Sequence, residues 1–231
     1  NRVRKLDYSI QLSKLFYERF INDEDITLFS PHDVPDLYDA FGTDKFDELY
    51  EKYERAYSIP KKKVNARTLF MDMLKERAET GRIYIMNVDH SNSHSSFLDK
   101  VNMSNLCQEI TLPTTPISHP DDEDGEIALC ILSAINVGSI KLEELPELCD
   151  IVVRGLDELI DYQKYPVRAA EVSTKARRSL GIGYIGLAHY LAKNKVKYND
   201  PEAHKLVHEL TEAFQYCLLD ASNKLAFEKG A

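Results

Sequence analysis

Ser104-Asn105-Leu106-Cys107-Gln108-Glu109-Ile110-Thr111-Leu112-Pro113 lies between polar loops and reads as extended chain. Ile110, Thr111 and Leu112 favour a strand, and Pro113, which cannot donate to a ladder, ends it. Side chains alternate along an extended backbone, so Asn105, Cys107 and Glu109 are expected on one face. Cys130 follows 23 positions after Cys107, inside the apolar run 127–137. Two thiols, a carboxylate and an amide are the parts for redox or radical chemistry on a small polar substrate. The competing account is a buried structural cysteine with polar neighbours, because free cysteine is among the most buried residue types.

The composition sets the frame around that run. The 231 residues, 43% hydrophobic and 29% charged, suffice for one large or two small domains with a buried core. A net charge of −9 argues against a general nucleic-acid binder, which presents a basic face. A local site for an anionic nucleotide can still oppose the global charge. Four cysteines without a CxxC pair or a signal peptide fit a reducing cytoplasm better than a disulfide framework. No apolar run approaches the roughly 18 residues of a membrane span. The chain opens at Asn1 already in helical pattern and stops just after a helix, as expected of a piece of a longer polypeptide.

Helical and strand patterns alternate along the chain. Residues 2–21 carry Val3, Leu6, Ile10, Leu15 and Phe16 at roughly helical spacing, which predicts a helix. Residues 25–30 predict a strand stopped by Pro31, and 34–53 two short helices broken near Gly42. Lys61, Lys62 and Lys63 read as a solvated turn in preference to a nucleic-acid patch. A helix over 65–80 has Leu69, Phe70, Met73 and Leu74 on one face and Gly81 as its stop, and 82–88 follow as a strand. Helix passing directly into strand, repeatedly, is α/β organisation.

Residues 89–102 read as a polar, non-helical loop. His90 and His94 are four apart, a spacing that binds metal on a helix, and the loop context sets metal aside. The acidic stretch 119–126 is a surface loop; set as a calcium loop it would place Pro120 and Ile131 at ligand positions. Residues 126–140 predict an apolar strand carrying Cys130 and ending at Gly138. Residues 142–162 predict an amphipathic helix interrupted at Pro146, with Cys149 in its packing.

Gly181, Gly183 and Gly186 match G-x-G-x-x-G, and Asp200 lies 19 positions after Gly181, so a nicotinamide-dependent dehydrogenase is an alternative reading. That fingerprint should follow a buried strand, whereas 171–178 are polar and charged. Residues 179–185 are therefore expected to be a strand themselves, entering a helix over 186–193, with glycines where backbone packs close. Residues 201–229 predict a closing helix with His204 and His208 on its surface and Cys217 in the core. A non-catalytic helical interaction module is a third reading.

Together these stretches resemble the large (α) subunit of class I ribonucleotide reductases of the aerobic bacterial and phage type. SNLCQEITLPT, GEIALCILSAINVGSI, LFSPHDVPDLYDAF, TGRIYIMNVDHSNSH, RRSLGIGYIGLAHYLA and the closing helix carry the resemblance, in the family's order and over essentially the whole chain. It implies an α/β fold: part of a ten-stranded α/β barrel, two five-stranded parallel halves lying antiparallel, with a central finger loop at about 104–113. Residues 1–231 would be a partial catalytic barrel domain. The resemblance implies that Cys107 becomes a thiyl radical and takes the 3′ hydrogen atom of the substrate ribose. Glu109 would accept the 3′-hydroxyl proton, and Asn105 would hydrogen-bond the substrate. Leu106 and Gln108 would complete the substrate-binding run. Cys130 would be one half of the dithiol that reduces the sugar after the 2′-hydroxyl leaves as water.

The same resemblance implies a ribonucleoside diphosphate substrate, converted to its 2′-deoxy form for DNA precursor synthesis. It implies a radical supplied by a metal-containing small (β) subunit, a homodimer of large subunits, and electrons from thioredoxin or glutaredoxin. ATP and deoxynucleotide effectors would bind outside these residues, and no metal, other cofactor, membrane or nucleic acid is expected on them. The family's other redox cysteine, its activity domain and its effector loops lie upstream. Its phosphate-binding segment, relay tyrosines and C-terminal thiols lie downstream, so this stretch alone is expected to be inactive.

Overall fold

The computed structural model describes residues 6–230. The chain forms two compact units, one ending at Thr114 and the other beginning at Thr115.

The first unit opens with a strand, β1 (Tyr8–Leu12), where the helical spacing of 2–21 predicts one continuous helix. Tyr8, Ile10 and Leu12 also recur with a period of two, and pairing decides between the patterns. β1 lies parallel to β4 (Ile83–Asn87), Tyr8 opposite Ile83 and Leu12 opposite Asn87. The helix starts only at α1 (Lys14–Ile21), with Ser13 as its cap, accepting from the Phe16 N–H. Val3, part of the predicted helix, lies outside the described residues.

Between β1 and β4 the chain builds β2 (Asp25–Phe29), α2 (Pro35–Ala40), α3 (Phe46–Arg55), β3 (Lys61–Asn65) and α4 (Ala66–Thr80). The strand at 25–30 and the two helices broken near Gly42 are as expected. The lysine run is not a turn: Lys61, Lys62 and Lys63 pair antiparallel with Phe29, Leu28 and Thr27. Exposed lysines suit such a strand, because they discourage further pairing along an open edge. Lys61 also reaches back to the end of α3, donating to the carbonyls of Tyr53 (3.1 Å), Glu54 (2.8 Å) and Ala56. α4 is bounded as predicted. Asn65 caps its start through the Thr68 N–H (2.9 Å), and Gly81 ends it at φ +68°, a conformation that favours glycine. Phe70 on α4 meets Phe16 and Phe20 of α1 edge-on, with centroids 5.9 and 5.2 Å apart. Around them Leu12, Leu15, Ile26, Leu37 and Tyr50 close the core.

Residues 89–102 are not wholly loop: α5 (Val88–Ser93) follows β4 directly. Asn92 then holds the return of the chain, its Nδ2 donating to the Val101 carbonyl (3.1 Å) and its Oδ1 accepting from the Val101 N–H (2.9 Å). A side chain that pairs both backbone groups of one distant residue replaces the ladder that this polar segment lacks.

The second unit is built on two parallel strands, β5 (Ile131–Asn136) and β6 (Leu180–Ile185). β5 is shorter than the predicted 126–140, and Cys130 sits just before it. Pro146 does not interrupt the following helix. It stands in the first turn of α6 (Leu145–Tyr162), where a missing N–H costs nothing, after a single 3₁₀ turn at Leu142–Glu144. α7 (Arg168–Arg177) precedes β6, α8 (Leu187–Lys193) follows it, and α9 (Pro201–Lys229) closes the unit with the predicted bounds. Ile135, Leu145, Cys149 and Phe214 form the core between β5, α6 and α9. The class is α/β as expected. No closed barrel is formed among the described residues, whose strands pair two by two.

The ends of α6 and α9 are joined by charge. Asp157, 6% exposed, accepts from Arg178 Nε (2.6 Å) and Lys229 Nζ (2.6 Å), and Arg178 also reaches Asp161 (2.8 Å). Burial alone would raise the Asp157 carboxyl, but the hydrogen bonds from Arg178 and Lys229 outweigh it and hold it below the usual carboxylate range. A carboxylate depressed in the folded state stabilises fully above its unfolded value of about 4, and the benefit fades as pH falls through the folded value. Asp157→Asn is therefore expected to cost about 2 kcal/mol near neutral pH. Thermal unfolding of both forms down an acid series should show the gap closing below about pH 4. A gap that does not change with pH would contradict the assignment.

Candidate active site

The segment 101–114 carries no regular secondary structure, and the run expected to be extended turns at its centre. The Gln108 N–H donates to the Asn105 carbonyl (3.1 Å), and Gln108 takes φ +68°, uncommon for a side-chain-bearing residue. The chain reverses over Leu106–Gln108, so the simple alternation that put Asn105, Cys107 and Glu109 on one face does not hold.

The turn is braced from within. Asn105 Oδ1 accepts from the Ile110 N–H (3.0 Å), which fixes the orientation of its amide. Its NH₂ group is thereby left to donate elsewhere. Ser104 Oγ lies 2.8 Å from the Ile110 carbonyl and 3.1 Å from Asn105 Oδ1. Gln108 Nε2 donates to the Asn105 carbonyl (3.1 Å) and to Ser9 Oγ on β1 (2.6 Å), so the strand anchors the turn. Gln108 Oε1 is buried without a hydrogen-bond partner among the described residues. Leu106, Cys107 and Glu109 are exposed. The account of Cys107 as a buried structural cysteine is overturned: its thiol is presented at the crown of a braced turn.

A cleft of about 400 Å³ adjoins this turn in the first unit. Its walls are Met86 and Asn87 at the end of β4, His90, Ser91 and His94, and Gln108. The carboxyl end of a parallel strand is where α/β sites form, and β4 running into polar residues was the signal for it. The sequence reading missed this wall. The His90 and His94 rings stand 6.0 Å apart between centroids, and among the described residues no three His, Cys, Asp or Glu side chains group as a metal site.

Cys130 belongs to the second unit and is half-buried. Cys149, fully buried, has its thiol pushed up to about 11 by burial and by the neighbouring Cys217. Burial also raises Cys217, which is half-buried against the same core. Both sit in packing positions, as expected. The glycine fingerprint does not form a phosphate cradle. Gly181 and Gly183 lie inside β6, and only Gly186 has a positive φ, +80°, ahead of α8. A Cβ there would stand 2.2 Å from Asn136 Oδ1, so close packing explains this glycine as well as its backbone does.

Residues 1–231 match, along their whole length, the family described as "Ribonucleotide reductase, barrel domain". The chain belongs to that family. It is 58% identical over 237 residues to the ribonucleoside-diphosphate reductase subunit alpha of Haemophilus influenzae, covering all of this chain and 31% of that one. It is 56% identical, with the same coverage, to ribonucleoside-diphosphate reductase 1 subunit alpha of Escherichia coli K12. Identity to the subunit alpha of enterobacteria phage T4 is 44%, again over all of this chain and 31% of that one. The chain therefore spans about a third of the length of these ribonucleotide reductase relatives. Nothing in this membership or in β6 supports the dehydrogenase alternative. Among the described residues no helix is long and apolar enough to cross a membrane.

Proposed function

We propose that this chain is a catalytic-core portion of a ribonucleoside-diphosphate reductase large subunit, and that the turn carrying Cys107 is its finger loop. The observation that carries the reading is the exposed Cys107 thiol on a turn braced by Asn105 and followed by the exposed Glu109, in a chain that matches the ribonucleotide reductase barrel domain. The two parallel strand pairs are read as segments of the ten-stranded barrel, completed by the rest of the subunit.

Each residue then has a task that balances. The Cys107 thiyl takes the hydrogen atom from C3′ of the ribose, forming an S–H bond and a carbon radical. Glu109 accepts the 3′-hydroxyl proton; a carboxylate suits a base that must act near neutral pH. The Asn105 NH₂ donates to the substrate, with its Oδ1 held by the Ile110 N–H, so the donor is oriented before substrate arrives. The 2′-hydroxyl leaves as water, and Cys130 with a second thiol of the subunit supplies the two electrons, ending as a disulfide. The hydrogen atom then returns from Cys107 to C3′, Glu109 gives its proton back to the 3′ oxygen, and the thiyl is restored. Leu106 and Gln108 frame the substrate from the same turn. The radical comes from a metal-containing small subunit, and thioredoxin or glutaredoxin reduces the disulfide. The working form is a cytoplasmic homodimer of large subunits with nucleotide effectors bound elsewhere.

The full-length subunit, mixed with its small subunit and a dithiol reductant, is expected to convert cytidine diphosphate to the 2′-deoxy form. Deuterium at C3′ should slow that conversion, because the C3′–H bond is broken. Adding the subunit to reduced nicotinamide should leave the cofactor's fluorescence unchanged. A saturable fluorescence change without reduction of the ribonucleotide would favour the dehydrogenase instead.

A further inference from the structure

We propose that Gly181 is a positioning residue for the Cys130 thiol, an inference that rests on reading Cys130 as a redox cysteine. Gly181 stands opposite Leu132 across the β5–β6 pair. A Cβ at position 181 would lie 2.6 Å from Cys130 Sγ and 2.6 Å from Leu132 Cδ2. Neither distance is tolerated, so an alanine there must move one or both side chains. The backbone is not the reason for the glycine. Gly181 lies in a strand without a positive φ, and the nearest backbone atom, the Ile131 carbonyl oxygen, would be 3.9 Å away. Leu132 is not the reason either: at 64% exposure it has open space to swing into. What remains is the sulfur.

Gly183 provides the comparison inside the same strand. It is two residues on and so faces the same side of β6, yet a Cβ there would meet nothing within 4 Å. Room for a methyl group is thus missing at the one glycine that faces Cys130. Gly181, the first glycine of the G-x-G-x-x-G pattern, thereby receives a use unrelated to dinucleotides.

The chemistry gives that clearance its meaning. In the reductive step two thiols lose two electrons and two protons, and an S–S bond forms. The C2′–O bond breaks, C2′ gains a hydrogen, and the hydroxyl leaves as water. A disulfide requires its sulfurs about 2.03–2.05 Å apart with a dihedral near 90°, so each Sγ must be free to take one particular rotamer. A methyl group at 181 would occupy the place from which Cys130 Sγ operates.

The test uses the full-length subunit with its small subunit. Gly181→Ala is expected to lower kcat on the order of 10²-fold, the loss typical of a reacting group displaced by about an ångström. KM for the nucleotide should not change. In a single turnover without external reductant, mass spectrometry should find Cys130 mostly unoxidised. The midpoint potential of its disulfide should move by about 30 mV for each tenfold change in the thiol–disulfide equilibrium. Gly183→Ala should behave as wild type. The double variant Gly181→Ala/Leu132→Ala relieves the contact with leucine but not the one with sulfur, and should remain defective. Wild-type disulfide yield in Gly181→Ala, or full rescue by Leu132→Ala, would overturn the proposal. Cys130→Ser with normal turnover would instead overturn the reading of Cys130 on which it rests.

Discussion

Cys107→Ser in the full-length subunit is expected to abolish ribonucleotide reduction, a loss of more than about 10³-fold, or roughly 4 kcal/mol of barrier. The thiol is exposed and its side chain takes no part in bracing the turn. Serine therefore leaves the loop intact, and nucleotide binding should survive within about twofold, a change of less than 1 kcal/mol. What serine cannot do is carry the radical, because its O–H bond is too strong to be broken by the relay and too reactive once broken. Equilibrium binding and turnover, measured on one preparation, separate the two effects. Turnover within tenfold of wild type would remove Cys107 from the radical role.

Cys130→Ser is expected to be nearly as damaging, in a different way. The 3′ hydrogen is still taken, so exchange at C3′ with solvent hydrogen should persist. The dithiol is gone, however, and the 2′-position cannot be reduced. Steady-state deoxynucleotide formation should fall below about one part in 10³, again roughly 4 kcal/mol. In the wild type after one turnover without reductant, mass spectrometry should find Cys130 bridged to a cysteine outside residues 1–231. A bridge to Cys149 or Cys217 would contradict the assignment. Both are expected to stay reduced, since burial keeps the Cys149 thiol protonated near neutral pH and half-buries Cys217 against the same core.

Where sequence and structure agree, local chemistry and tertiary demand point the same way. Asn65 and Gly81 bound α4 because a side-chain cap and a left-handed stop are written in single residues. β6 running into α8, and the long α9, follow from apolar runs that no competing period matches. Disagreements arise where partners distant in the chain decide. Tyr8, Ile10 and Leu12 fit a strand only because β4 lies beside them, and Lys61–Asn65 only because β2 does. Between Asn105 and Glu109 the residue types were legible and their geometry was not. Nothing in glutamine announces φ +68° at Gln108; the bonds from its side chain to Ser9 and the Asn105 carbonyl hold it there. The cleft beside His90 and His94 was missed for a related reason, since α5 is too short and polar to show a period.

The Gln108–Ser9 hydrogen bond joins residues 99 apart in the chain. A contact of that span forms only after the segment between has closed, and closure of long segments sets the pace of folding. β2–β3, α3 and α4 can assemble from neighbouring residues; the turn that presents Cys107 cannot, because one of its anchors is β1 at the far end of the unit. On the proposed reading, the Cys107 thiol thus acquires its working geometry late, once the β1–β4 pair exists to receive it. In the newly made chain the Cys107 turn is therefore expected to gain its brace only after β1 and β4 have paired.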